Sequence, residues 1–113
     1  MSVKLKTLNL ELGQPSGDVA VSKMKNTLLT YKGQGVKAVI VIHGYGSGGE
    51  GGVIKERVRR ALTDGDMRGI VRHFVPGEQW AERKREFIGM CKALEKEDRQ
   101  IAGNQGVTVV ILR

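Results

Sequence analysis

The five residues Ala38 to Ile42, AVIVI, are short, continuous, apolar and rich in β-branched side chains, which marks a buried strand. Six glycines follow within the nine residues from Gly44 to Gly52, and beyond them Ile54, Val58 and Leu62 recur every fourth residue. That second spacing belongs to an amphipathic helix with Lys55, Glu56, Arg57, Arg59 and Arg60 turned to solvent. A strand that runs through a glycine loop into a helix is an α/β unit, and the flanking sequence supplies its neighbours.

Lys4 to Leu12 alternates, with Leu8, Leu10 and Leu12 on one face, and reads as a first strand ending at Gly13. GQPSGD is turn chemistry, from which Ser16 or Asp18 caps a helix running to about Tyr31, with Val21, Met24, Leu28 and Tyr31 along its buried face. Gly69 to Val75 and the closing GVTVVILR have the composition of two further strands. The order is βαβα and then two strands. Between those strands, Trp80, Phe87, Cys91, Leu94 and Ile101 form a narrow helical seam with nearly balanced charge, a helix expected to pack on the sheet or on another subunit.

A chain of 113 residues fits one domain, 1–113, whose core needs no disulfide or structural metal. Lone Cys91 excludes an intramolecular disulfide and reads as packing in a reducing compartment. No signal peptide or membrane-length apolar run is present, so the expected location is cytoplasmic. The net charge of +7 favours polyanionic partners. Residues 1–42 hold six basic against two acidic side chains and residues 78–113 hold seven against six, so the excess lies toward the N-terminal half.

Glycines between a strand and a helix let backbone amides approach an anion, and phosphate is the natural ligand. Gly44, Gly46 and Gly49 spell G-x-G-x-x-G, a weak match in so glycine-rich a segment; no Gly-Lys-Ser or Gly-Lys-Thr follows, which excludes a Walker cradle. His43 stands where strand meets loop. Two readings follow for it: a proton-transfer group facing the loop's ligand, or a residue that ends the strand with its hydrogen bonds satisfied.

VIHGYGSG, followed by GVIKERVRRAL and closed by GVTVVILR, resembles the Smr (small MutS-related) domain, whose hallmark is a His-Gly-x-Gly loop between a strand and a helix. The resemblance covers Val3 to Phe74 and Gly103 to Arg113, and leaves residues 78–102 as a helical insertion. It implies an α/β two-layer sandwich with a four-stranded mixed sheet, two helices on one side, like the C-terminal domain of a bacterial translation initiation factor, plus one inserted helix. It also implies nucleic-acid binding, with endonuclease or nicking activity in several members.

Carried over by position, His43, Gly44 and Gly46 fall on the loop motif, Ser47 and Gly48 continue it, and Lys55 stands where many members have arginine. The first-strand signature Leu-Asp-Leu-His-Gly is met by Leu8, Asn9, Leu10, Glu11 and Leu12, so a carboxylate has become Asn9 and a histidine Glu11. Tyr45 replaces a basic residue, and the loop gains residues including Glu50.

The catalytic candidates are therefore His43 and Glu11, and the nucleic-acid contacts Gly44, Tyr45, Gly46, Ser47, Gly48, Lys55 and Arg59. Tyr45 suits base stacking. Glu11 and His43 alone make a sparse metal site, which leaves divalent-metal dependence open and assigns no metal ligand. The leading reading is a binder of DNA or RNA with little or no nuclease activity. The alternatives are an endonuclease centred on His43, and an interaction module that self-associates or binds a protein through helix 79–101.

Overall fold

The computed structural model describes residues 3–13, 15–44 and 49–113, with only the backbone for 49–53. Tyr45, Gly46, Ser47 and Gly48 lie outside the described residues, and so does the side chain of Glu50. Four strands, β1 (Leu5–Asn9), β2 (Ala38–Ile42), β3 (Val71–Pro76) and β4 (Val107–Leu112), form one sheet in the order β1-β2-β4-β3. β1 runs parallel to β2, and β4 is antiparallel to both β2 and β3. This is the mixed α/β sheet expected from the sequence.

Strand alternation divides the core in two. Val39, Val41, Val110 and Leu112 face α1 (Gly17–Gly33) and α2 (Gly49–Ala61), where Met24, Leu28, Ile54 and Val58 meet them. Ala38, Ile40, Val109 and Ile111 face the opposite way, onto Trp80, Phe87, Cys91, Leu94 and Ile101. With both faces covered, the central strands need apolar residues at every position, which accounts for the unbroken AVIVI and VVIL. The 78–102 segment thus adds a third layer to the two-layer sandwich.

That segment is not one helix. It comprises α3 (Trp80–Met90), a 3-10 stretch over Lys92–Glu97, and the short α4 (Asp98–Ile101), with Cys91 extended at φ −148° and ψ 99°. A straight helix from Trp80 to Ile101 would measure about 33 Å, against about 20 Å for a six-residue strand. Only by folding back can it keep Leu94 and Ile101 on the sheet. Trp80 and Phe87 are fully buried edge to face, 6.3 Å apart, and the indole Nε1 donates to Asp98 at 2.8 Å. The apolar seam is therefore spent on the sheet, and α3 turns Glu82, Lys84, Arg85 and Glu86 outward.

The first strand stops earlier than its alternation predicts. Asn9 accepts the Glu11 amide with its own side chain at 2.8 Å, a local bond that turns the chain out of the ladder. Leu8 and Leu10 stay buried, but Leu12 is 69% exposed. Ser16 caps α1 as expected, its Oγ accepting the Val19 amide at 3.3 Å. Among the described residues, no helix is long and apolar enough to cross a membrane.

Candidate nucleic-acid interface

One end of the sheet gathers the ends of β1, β2 and β3, the start of β4, and the helix that follows β2. The backbone there is pinned by one turn. The amides of His43 and Gly44 both donate to the Gly106 carbonyl, at 3.0 and 3.1 Å, and the Gly106 amide donates to the Asn104 side chain at 2.8 Å. Gly44 takes φ +87°, which favours glycine, and a Cβ there would lie 2.7 Å from a Glu11 carboxylate oxygen. Glu11 thus rests over Gly44, and the two line a cleft of about 230 Å³ with Gln100, Asn104 and Gly106.

His43 has no accessible surface, and both of its ring nitrogens are bonded. The Gly44 carbonyl, 2.9 Å from Nδ1, can only accept, so Nδ1 carries the proton. Nε2, 2.9 Å from the Thr108 hydroxyl, then accepts from it. Thr108 in turn accepts the Arg59 Nε–H at 3.1 Å. The chain of donors runs from Arg59 through Thr108 and His43 to Gly44, joining α2, β4 and β2. Burial above all, reinforced by the nearby charges of Arg59 and Lys55, pushes the imidazole down to about 4 against the opposing pull of the Gly44 carbonyl.

Arg59 is not on a solvated helix face. Its side chain is 19% exposed, and its Nη atoms grip both oxygens of Glu78 at 2.8 and 2.7 Å. It also donates to the carbonyls of Gln105 and Val107. The guanidinium beside Glu78 holds that carboxyl below its usual range. Lys55 is half-buried, and Arg60 is exposed on the same helix. Asn9 is used in its turn.

Thr108 and Glu78 were not legible as partners of the loop, because they lie 65 residues from His43 and 19 from Arg59 in the chain. Only strand pairing brings them there: Pro76 sits opposite Thr108, and Val107 opposite Ile42. Among the described residues no three His, Cys, Asp or Glu side chains are grouped as a metal site.

The Smr domain family model matches residues 10–80, more than half of the chain. The protein belongs to the Smr domain family. Its matched region starts just before Glu11 and ends at Trp80, so it spans the His-Gly loop, α2, Arg59 and Glu78. Among solved structures, this Smr domain is similar to the Smr domain of Thermus thermophilus MutS2, with a TM-score of 0.58 over 98% of this chain and 99% of that one. At 22% identity, that likeness speaks to the shared fold. No curated protein matches the chain.

Proposed function

We propose that this Smr domain binds nucleic acid at the end of the sheet where β2 runs into α2, and that it holds phosphates there without efficient cleavage. Membership in a family associated with nucleic acid supports the ligand class. The observation that carries the rest is His43. Buried, neutral at physiological pH and bonded through both nitrogens, it is equipped to fix the start of the loop rather than to take a proton from water. In this proposal Gly44, Tyr45, Gly46, Ser47 and Gly48 are the phosphate contacts, Lys55 and Arg60 supply charge from α2, and Arg59 acts as a positioning residue through Thr108.

One observation favours a second reading, phosphodiester hydrolysis. The Glu11 carboxylate lies against Gly44 and lines the 230 Å³ cleft, and in this reading it is the base that takes the proton of the attacking water. The test is to incubate labelled DNA and RNA with the protein over a range of salt, with and without divalent cations, recording retention and cleavage together. Binding without cleavage is expected. Lys55→Gln with Arg60→Gln is expected to flatten the slope of log K against log salt by about 1.4 for a single strand. Absence of binding at low salt overturns the proposal, whereas cleavage that Glu11→Gln abolishes establishes the second reading.

A further inference from the structure

At the opposite end of the sheet a second cleft, about 290 Å³, is lined by Lys32, Lys37, Arg72 and Arg113 above apolar residues that include Val36 and Ile111. These four cations come from four places: the last turn of α1, the residue before β2, strand β3 and the end of β4. Among the described residues no Asp or Glu side chain lines the cleft and none of the four is paired with one, although the Arg113 Nε donates to the Arg68 carbonyl. Elsewhere Lys25, Arg57, Arg59, Arg83 and Lys84 each have a carboxylate partner. Like-charged side chains that share a cleft repel one another, and a bound anion reverses the sign of that interaction.

The backbone carrying these side chains is held firmly. Lys37 accepts the Leu112 amide at 2.8 Å and donates to Lys4 at 2.8 Å, and the Arg113 amide donates to Ile70 at 2.9 Å. Arg72 is the extra residue of a β-bulge, since Val71 faces Leu112 and His73 faces Ile111. Bulges on edge strands re-aim a side chain, and here the re-aimed one lines the cleft.

We propose that this cleft is a second phosphate site, taking a phosphate group of a nucleic-acid strand against Lys32, Lys37, Arg72 and Arg113. The choice of nucleic acid rests on the function proposed above; the preference for phosphate rests on the cleft. Lys37 and His43 flank β2 six residues apart, so the two ends are about 20 Å apart, and a strand that reaches both passes over the surface of the domain.

The test is amide NMR on the whole protein titrated with a single-stranded 12-mer, with and without a 5′-phosphate, alongside affinity as a function of salt. Shifts are expected at Lys37, Arg72 and Leu112. Lys37→Gln with Arg72→Gln should weaken binding roughly tenfold and flatten the salt slope by about 1.4, with a cooperative melt no lower than the native protein's as the control for folding. A cleft shift that requires the 5′-phosphate identifies a terminal phosphomonoester, and one that does not identifies an internal phosphodiester; either supports the site. Oligonucleotide binding that leaves these amides, the affinity and the slope of the double variant unchanged overturns the second site while the loop-side function stands. If no oligonucleotide binds, the loop-side function falls and inorganic phosphate decides the cleft. Shifts at millimolar phosphate that the double variant loses then support it, and their absence overturns it.

Discussion

The two ends of the sheet use the same kind of residue in opposite ways. At the loop end, Arg59 is enclosed by Glu78, Thr108 and two carbonyls, and its charge is consumed in holding strands and helix together. At the far end, Lys32, Lys37 and Arg72 have no carboxylate partner among the described residues. A cation paired inside the fold is part of the scaffold, whereas one mounted on a rigid backbone and left unpaired is available to a ligand. Counting basic residues cannot separate the two. The contrast makes stability the sensitive readout at the first end and salt-dependent binding the sensitive readout at the second.

The largest effect is expected where the loop end leaves no room. A Cβ on Gly77 would lie 2.0 Å from the Asn104 carbonyl oxygen and 2.9 Å from that of Ile101, both backbone atoms. Gly77→Ala must displace the turn that pins Gly106, at a cost of about 4 kcal/mol. Chemical denaturation measures it, and a cost below about 1 kcal/mol would mean that this turn is soft. The equivalent change at Gly33, beside the far cleft, meets nothing within 4 Å and should be nearly neutral.

Next in size is the pH dependence of His43. Its folded value of about 4 lies below the ordinary 6.5, so between these values the unfolded chain binds the extra proton and stability rises with pH. The contribution is complete above pH 6.5 and is lost as pH falls to about 4, amounting to about 3 kcal/mol. Urea midpoints from pH 7 to 4.5 should show most of that loss in the native protein and little of it in His43→Ala, which is less stable at every pH. A flat native profile would mean that the imidazole is hydrated.

These two sites also show where sequence was informative. AVIVI, the glycine loop and the four-residue spacing of Ile54, Val58 and Leu62 are local patterns, and local patterns set the strands, the helices and the apolar faces. His43 was legible as a strand-end residue with two readings, but the choice between them depends on Thr108, which only antiparallel pairing brings to Nε2. Arg59 looked solvated because helical periodicity places it opposite the apolar stripe. Glu78, arriving from the end of β3, turns that position into an interior one. Leu12 and the broken 78–102 segment were missed for a related reason: alternation and periodicity report which face is apolar, not where a side-chain bond or the width of the sheet ends the element.

A smaller effect is expected from the Arg59–Glu78 pair. Their side chains are 19% and 33% exposed, and the pair is bidentate, so it lies between a surface bridge and a buried one. A double-mutant cycle with Arg59→Met and Glu78→Gln should give a coupling of about 1–2 kcal/mol. Each single change should also raise the exchange rate of the His43 amide. Coupling near zero would place this arginine with the free cations of the far cleft.

The smallest effect on stability is expected at that cleft, and its smallness is informative. Lys37→Gln and Arg72→Gln remove no hydrogen bond or ion pair among the described residues, so each should shift stability by less than about 0.5 kcal/mol. Because each relieves repulsion among like charges, the sign should favour the variant, and raising the salt should erase the gain within the Debye length of about 8 Å at physiological ionic strength. Melting temperatures at low and high salt are sufficient to see it. A destabilisation of more than about 1 kcal/mol would show that these side chains build the fold as Arg59 does, and the difference between the two ends would disappear.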